Sequence, residues 1–328
     1  MEQAIKDAYS ESILREFMER YGIGASDITL LDGFESFVYE VKEGGRHYAL
    51  RISHTGLRRS KEEIRGEAEF INYLAQNGVA CARPLLSPQG KLVEESAGGD
   101  HDFVAVAFNW AEGDNPEPKD RTPEFLRRFG ATMGRMHRLV KDFTLPGGCS
   151  RPDGLDDLTG YLKGFKQTEE PAIINRYGEY LDAVRGLPGE RDGYGLIHGD
   201  MHMENVHLDD AGRIKIFDFD DCSYFYFAAD IAVALFHLTP HRCTPEHTRQ
   251  MAEAFNSFME GYRAENQLSS EWLSKVPLFM KLREIDLYCI LRQDWEYVKD
   301  DAWCVSYMEG RRERVLSDAP VLDIDFTA

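Results

Sequence analysis

The hydrophobic repeat divides this chain at Gly113-Asp114-Asn115-Pro116-Glu117-Pro118, and that division limits the folds open to it. Before the division, Phe37-Val38-Tyr39-Glu40-Val41 and His47-Tyr48-Ala49-Leu50-Arg51-Ile52 alternate with the two-residue period of strands around the turn pair Gly44-Gly45. Lys91 to Glu95 and Phe103 to Trp110 read as further strands. Ser60-Lys61-Glu62-Glu63 has the form of a capping box, with Ile64, Ala68, Ile71 and Leu74 as the apolar face of the helix it opens and Gly78 as its stop. Glu2 to Tyr21 has the spacing of one amphipathic helix, ended by Gly22 and Gly24.

Past the division the repeat becomes helical. Thr122-Pro123-Glu124 caps a helix running to about Val140, and helical patterns recur over Leu155–Gln167, Ile174–Arg185 and from Ala228 onward. Gly195 to Phe217 is a strand-like island in this helical stretch. The expected fold class is α+β: a small, mostly antiparallel sheet with one inserted helix over residues 1–112, then a larger helical part over 113–328.

Composition removes several functions. A formal charge of −19 disfavours nucleic acid and anionic membrane as partners. The apolar run Ile231 to Leu238 is interrupted by a histidine and falls far short of the roughly 20 residues that cross a bilayer. The acidic, mixed N-terminus resembles no targeting peptide, so a cytoplasmic location is the default expectation. Six cysteines (Cys81, Cys149, Cys222, Cys243, Cys289 and Cys304) form no C-x-x-C pair and read as free thiols.

The island carries the chemistry. It runs His198-Gly199-Asp200-Met201-His202-Met203-Glu204-Asn205, then through a turn at Asp209-Asp210-Ala211-Gly212 to Ile214-Lys215-Ile216-Phe217-Asp218. One carboxylate on a loop, an amide five residues later and a second carboxylate beyond a hairpin are what phosphoryl transfer asks for. A carboxylate orients the acceptor hydroxyl, and a few oxygen ligands hold Mg²⁺ on the phosphates.

His198-x-Asp200-x-x-x-x-Asn205, in the form His-Gly-Asp-x-His-x-x-Asn and followed by Asp218 after an apolar strand, resembles the aminoglycoside phosphotransferase and choline kinase-like family, relatives of the protein kinases. The resemblance implies a bilobal protein-kinase-like fold, ATP and Mg²⁺ as cofactors, and a hydroxylated small molecule as acceptor. By position it implies Asp200 as catalytic aspartate and Asn205 and Asp218 as metal ligands. Gly33-Phe34-Glu35-Ser36-Phe37-Val38-Tyr39 matches the nucleotide loop, with backbone N–H groups, Ser36 and Phe37 among their sources, and the Ser36 hydroxyl facing phosphate. Arg51 stands where the family usually has its phosphate-binding lysine, and Glu67 where the pairing glutamate sits. Phe108-Asn109-Trp110-Ala111-Glu112-Gly113 looks like the hinge, with Asn109 C=O and Ala111 N–H toward adenine and Phe108 behind it. Asp230 resembles the buried aspartate that braces the catalytic loop.

Two departures stand out. Arg51 puts a planar fork where an ammonium is usual, which bears on nucleotide affinity. Asp218-Phe219-Asp220 lacks the glycine of the protein-kinase Asp-Phe-Gly, and Asp220 and Asp221 read equally as extra metal ligands or as caps of a following helix.

Each residue also has an ordinary reading: Asp and Asn favour turns, Arg51 suits an exposed edge strand, and His198 and His137 suit the core. His202 and His207 read as solvent or supporting positions. Asp286, Asp294 and Asp301, spaced eight and seven apart, read equally as one acidic face fit for an amino-alcohol or aminoglycoside-like cation or as a solvated acidic surface, with Tyr262, Trp295 and Trp303 as cation–π partners or, more often, core residues. Three other functions compete with kinase activity. One is a catalytically weak nucleotide-binding homologue, suggested by Arg51. Another is a metal-dependent hydrolase built on His198, Asp200, His202 and Asp218. The last is a protein-substrate kinase, against which the short hydrophobic stretch Cys222 to Ala229 counts.

Overall fold

The computed structural model describes residues 3–24, 27–31, 36–55, 58–96, 102–166 and 169–327. The chain forms two compact units. The first takes residues 1–113 and adds 144–151 and 207–220 from later in the chain; the second takes the rest.

The first unit is built on a five-stranded antiparallel sheet in the order β1-β2-β3-β5-β4. Its strands are β1 (Asp27–Leu31), β2 (Phe37–Glu43), β3 (Arg46–His54), β4 (Glu94–Glu95) and β5 (Phe103–Asn109). Gly44 and Gly45 both take left-handed φ, +54° and +79°, as a two-residue hairpin turn requires. The turn sets the β2–β3 register, pairing Val38 with Arg51. Val41, Leu50, Ile52, Phe103, Ala105 and Ala107 form the sheet's contribution to the core. The helix Lys61–Gln76 opens on Ser60 with both bonds of the capping box in place.

Two expectations fail here for local reasons. Lys91 to Glu95 pairs only at Glu94 and Glu95, because the neighbouring edge of β5 is taken: Leu85 N–H donates to Ala107 C=O and Asn109 N–H to Arg83 C=O. The N-terminal helix is two, Gln3–Ala8 and Glu11–Tyr21. Between them the Tyr9 ring stacks on Phe37 (3.7 Å between centroids) and meets Phe103 edge-on.

The second unit is mainly helical. The helices Pro123–Val140 and Pro245–Glu265 pack along one another, and Phe227–Leu238 packs against Val276–Gln293. A strand pair crosses it, β6 (Tyr194–Ile197) antiparallel to β9 (Ser223–Tyr226). Strand β9 lies in the stretch read as a bare hydrophobic segment. The helix after it starts at Phe227, and no membrane-crossing helix is present among the described residues. Between β6 and β9 come a single helical turn (Met203–Asn205) and the hairpin of β7 (Val206–Leu208) and β8 (Ile214–Ile216). All six cysteines are free thiols.

Candidate active site

In the first unit, Arg51 on β3 and Glu67 on the helix Lys61–Gln76 meet as a two-pronged pair. Nη1 and Nη2 donate to Oε1 and Oε2 at 2.9 and 2.5 Å. Both residues are buried, Glu67 at 1% exposure, so Arg51 is no snorkelling edge residue. Burial alone would push the arginine pKa down, but the charges of Glu67, then Asp220 and Asp218, reverse that and raise it. The planar fork that departs from the family's lysine is what permits two parallel bonds.

Asp218 follows β8 with φ +62°, the left-handed non-glycine residue among those described. Aspartate is among the few non-glycine residues that adopt this region readily. Phe219 is buried edge-on against Phe70. The Asp220 carboxylate lies 3.2 Å from Arg58 and 4.0 Å from Arg51, while its carbonyl accepts from Arg59 and Arg151. It is therefore an arginine-bound residue. It caps no helix, since β9 follows; burial acts to raise its pKa, but those guanidinium charges outweigh it and leave the carboxyl below the usual value.

Ser36 Oγ is 2.8 Å from Ser53 Oγ, and the Phe37 ring is taken up by Tyr9. Gly33, Phe34 and Glu35 lie outside the described residues. At the hinge, Ala111 C=O is bound by His207 Nδ1 and Trp110 C=O accepts from Lys215 Nζ. His207 therefore supports the hinge backbone. Phe108 packs beneath the Arg51 guanidinium, 5.3 Å from ring centre to Cζ.

In the second unit, Asp230 holds the loop that carries Asp200. Its carboxylate accepts from His198 N–H (3.0 Å), Gly199 N–H (2.8 Å) and His137 Nε2 (3.0 Å), and His137 Nδ1 is bonded to Tyr262. Burial would raise the Asp230 pKa; the His137 hydrogen bond, then the His137 and His198 charges, hold it down. His198 and His137 are thus structural, and Tyr262 is a core residue. Gly199 has φ +86°, and a Cβ there would stand 2.4 Å from the Asp221 carbonyl oxygen. The loop geometry admits no other residue without a shift.

Asp200 is surrounded by donors. Arg283 Nη2 gives a bond of 2.6 Å to Oδ1, while His202 Nε2 (3.1 Å) and Asn205 Nδ2 (3.2 Å) approach Oδ2. His202 Nδ1 accepts from Glu204 N–H, which leaves Nε2 as the protonated nitrogen. Burial acts to raise the Asp200 pKa, but Arg283, His202 and His237 outweigh it and keep the carboxyl well below the carboxylate range. Asn205 Nδ2 also donates to Asp200 C=O at 2.9 Å, so its amide oxygen points away from the loop. An amide oxygen and a carboxylate are both hard donors of the kind Mg²⁺ favours. Asn115, in the breaker-rich linker, ties the loop down by donating to Met203, Glu204 and Val206 carbonyls.

The sequence reading missed Arg283 and His237. The His237 ring stacks on His202 at 4.3 Å, and its Nε2 accepts from Arg283 Nη2 at 3.2 Å. Burial, then the Arg283 and His202 charges, hold His237 neutral, well below the usual histidine pKa. Signals for both existed: His237 is the break in the apolar run, and Arg283 lies on a helix with buried Lys281, Glu284 and Asp286. The expected acidic face does not form. The helix ends at Gln293, Asp286 is buried and bonded by Tyr177, and Asp301 caps the helix Ala302–Met308. The metal-capable cluster among the described residues is Asp200, His202 and His237, and His198 is no part of it.

A model of the phosphotransferase enzyme family matches residues 27–266. Amicoumacin kinase of Bacillus subtilis (strain 168) is 29% identical over 324 residues, covering 98% of this chain and 96% of that protein. Homoserine kinase of Bartonella tribocorum is 22% identical over 301 residues, 89% of each. Among solved structures, amicoumacin kinase in complex with AMP-PNP, Ca²⁺ and Ami superposes with TM-score 0.89 at 29% identity over 99% of both chains. A microcompartment-associated aminopropanol kinase gives TM-score 0.65 at 21% identity over 92% of this chain and 95% of its own, a likeness of fold. The fold is the bilobal α+β kinase-like one, and the chain belongs to the phosphotransferase enzyme family.

Proposed function

We propose that this protein transfers the γ-phosphoryl group of ATP to a hydroxyl of a small molecule. The observation that carries the proposal is Asp200: a half-buried carboxylate kept ionised and oriented by Arg283, His202 and Asn205. Such a group orients an acceptor O–H and takes its proton as the oxygen attacks phosphorus and the bond to the β–γ bridging oxygen breaks. Mg²⁺, held by Asn205 and Asp218, would neutralise phosphate charge when bound. Arg51, aligned by Glu67, faces the phosphates; Ser36 and the backbone at Phe37 serve the nucleotide loop, and Asn109 C=O and Ala111 N–H the adenine edge.

Amicoumacin is the first acceptor to test, with amino-alcohols and aminoglycosides after it. The cleft bordered by His237 holds about 460 Å³ and is lined by Arg121, Thr239, His241, Arg242 and Ser306. A weakly active nucleotide binder is the second reading, favoured by the fact that both Arg51 terminal nitrogens are already bonded to Glu67. The deciding experiment measures ATP-dependent phosphate transfer across that panel, with Asp200→Asn as blank. Turnover lost in the blank supports the first reading; an ATP-induced rise in melting temperature with no turnover for any acceptor supports the second.

A further inference from the structure

We infer that Arg283 is the positioning residue of Asp200 and the resident cation of the Asp200–His202–His237 cluster, which would otherwise take a zinc-type divalent ion. The inference rests on the role given to Asp200 above.

The three side chains bring their ligand atoms within 4.8 Å of one another. One carboxylate and two imidazoles are the donor set of zinc sites, and imidazole in general favours zinc, copper and nickel over magnesium. Arg283 Nη2 sits among them, 2.6 Å from Asp200 Oδ1 and 3.2 Å from His237 Nε2. Its two hydrogens serve both acceptors at once. His237 Nε2 is placed to accept that bond.

Counting acceptor positions shows what this achieves. A carboxylate offers about four lone-pair sites, two on each oxygen. His202 and Asn205 occupy Oδ2, and Arg283 occupies one site of Oδ1. One site on Oδ1 remains for the acceptor hydroxyl, so Oδ1 is the oxygen that receives the proton. A divalent ion in place of the guanidinium would engage both imidazoles and the carboxylate, and that open site would be lost. Arginine supplies the positive charge without binding to Oδ1 as a metal does.

The test uses Arg283→Ala and Arg283→Lys in the full chain. Both should lower kcat, by about 10²-fold for alanine as expected of a misplaced catalytic group, with KM for Mg²⁺-ATP nearly unchanged. Added guanidinium ion should restore part of the alanine variant's rate, an effect a purely structural role would not give. Zn²⁺ binding, measured by competition with a chromophoric chelator, should appear at one new site in Arg283→Ala and vanish on adding His237→Phe. Wild-type kcat in Arg283→Ala, or no guanidinium rescue and no zinc capture, overturns the inference. Should the alanine variant fail to fold, the wild-type protein decides: Zn²⁺ bound at a site abolished by His237→Phe would show that arginine does not hold the cation position, and its absence supports the inference. If Asp200→Asn keeps full turnover, the role of Asp200 falls instead, while zinc capture still reports on Arg283.

Discussion

Each unit pairs an arginine with a carboxylate, buried in the first and half-buried in the second, and the two pairs are built to different ends. Arg51 and Glu67 meet fork to fork, one nitrogen on each oxygen, so both oxygens of the carboxylate are engaged by the same guanidinium. Arg283 touches Asp200 through one nitrogen on one oxygen and shares that nitrogen with His237. The first pair resembles a clamp, while the second leaves a carboxylate charged, fixed in direction and open at one site. Symmetry of engagement distinguishes a carboxylate that holds structure from one available for chemistry, even when both face a guanidinium.

The contrast is broken most directly through Asp200. Asp200→Asn should reduce phosphate transfer by about 10²- to 10⁴-fold, the usual worth of a positioned proton acceptor, while ATP with Mg²⁺ still raises the melting temperature. Undiminished transfer would make Asp200 as structural as Glu67. Removing Glu67 should instead be felt in folding. Glu67→Ala leaves a buried guanidinium without its main partner, and denaturant unfolding should show a loss of about 3–5 kcal/mol. A loss under about 1 kcal/mol would mean that Asp218 and Asp220 suffice to hold Arg51.

Asp230 offers a smaller effect with a pH signature. Its folded pKa lies below the ordinary aspartate value, so its contribution is fully present above about pH 4 and fades as pH falls through the folded value. The stability gap between wild type and Asp230→Asn should be about 1–3 kcal/mol near neutrality and close in acid. A gap independent of pH would mean that the asparagine is penalised by shape alone. The smallest effect is expected of Arg51→Lys, which keeps the charge and loses one of two bonds. Unfolding should cost about 1 kcal/mol, and the ATP-induced rise in melting temperature should persist; its loss would show that the fork itself contacts phosphate.

Much of the first unit was legible because its signals are local. Gly44-Gly45 dictates a tight turn, Ser60 and Glu63 close a capping box on one another, and alternation along β2 and β3 follows from the pleat. The pairing of Arg51 with Glu67 came from the resemblance and was found in the geometry. Where local signals competed with distant ones, the reading failed. The one helix expected over Glu2–Tyr21 is divided at Tyr9, whose ring packs against β2 and β5, and the strand expected from Lys91 is shortened because Arg83 and Leu85 occupy the edge it needed. The proposed acidic face over Asp286, Asp294 and Asp301 assumed one continuous helix, and the helix stops at Gln293.

The sequence by itself determined the family and the loop from His198 to Asn205, because those depend on residue type at fixed short spacing. Tertiary structure alone decided what surrounds Asp200. Arg283 stands 83 residues from it and His237 lies 46 residues from Arg283, so no spacing rule connects them. They meet because the helices Phe227–Leu238 and Val276–Gln293 pack together, and a charge half-buried at that packing is stabilised by a partner of opposite sign. Here that partner is Asp200.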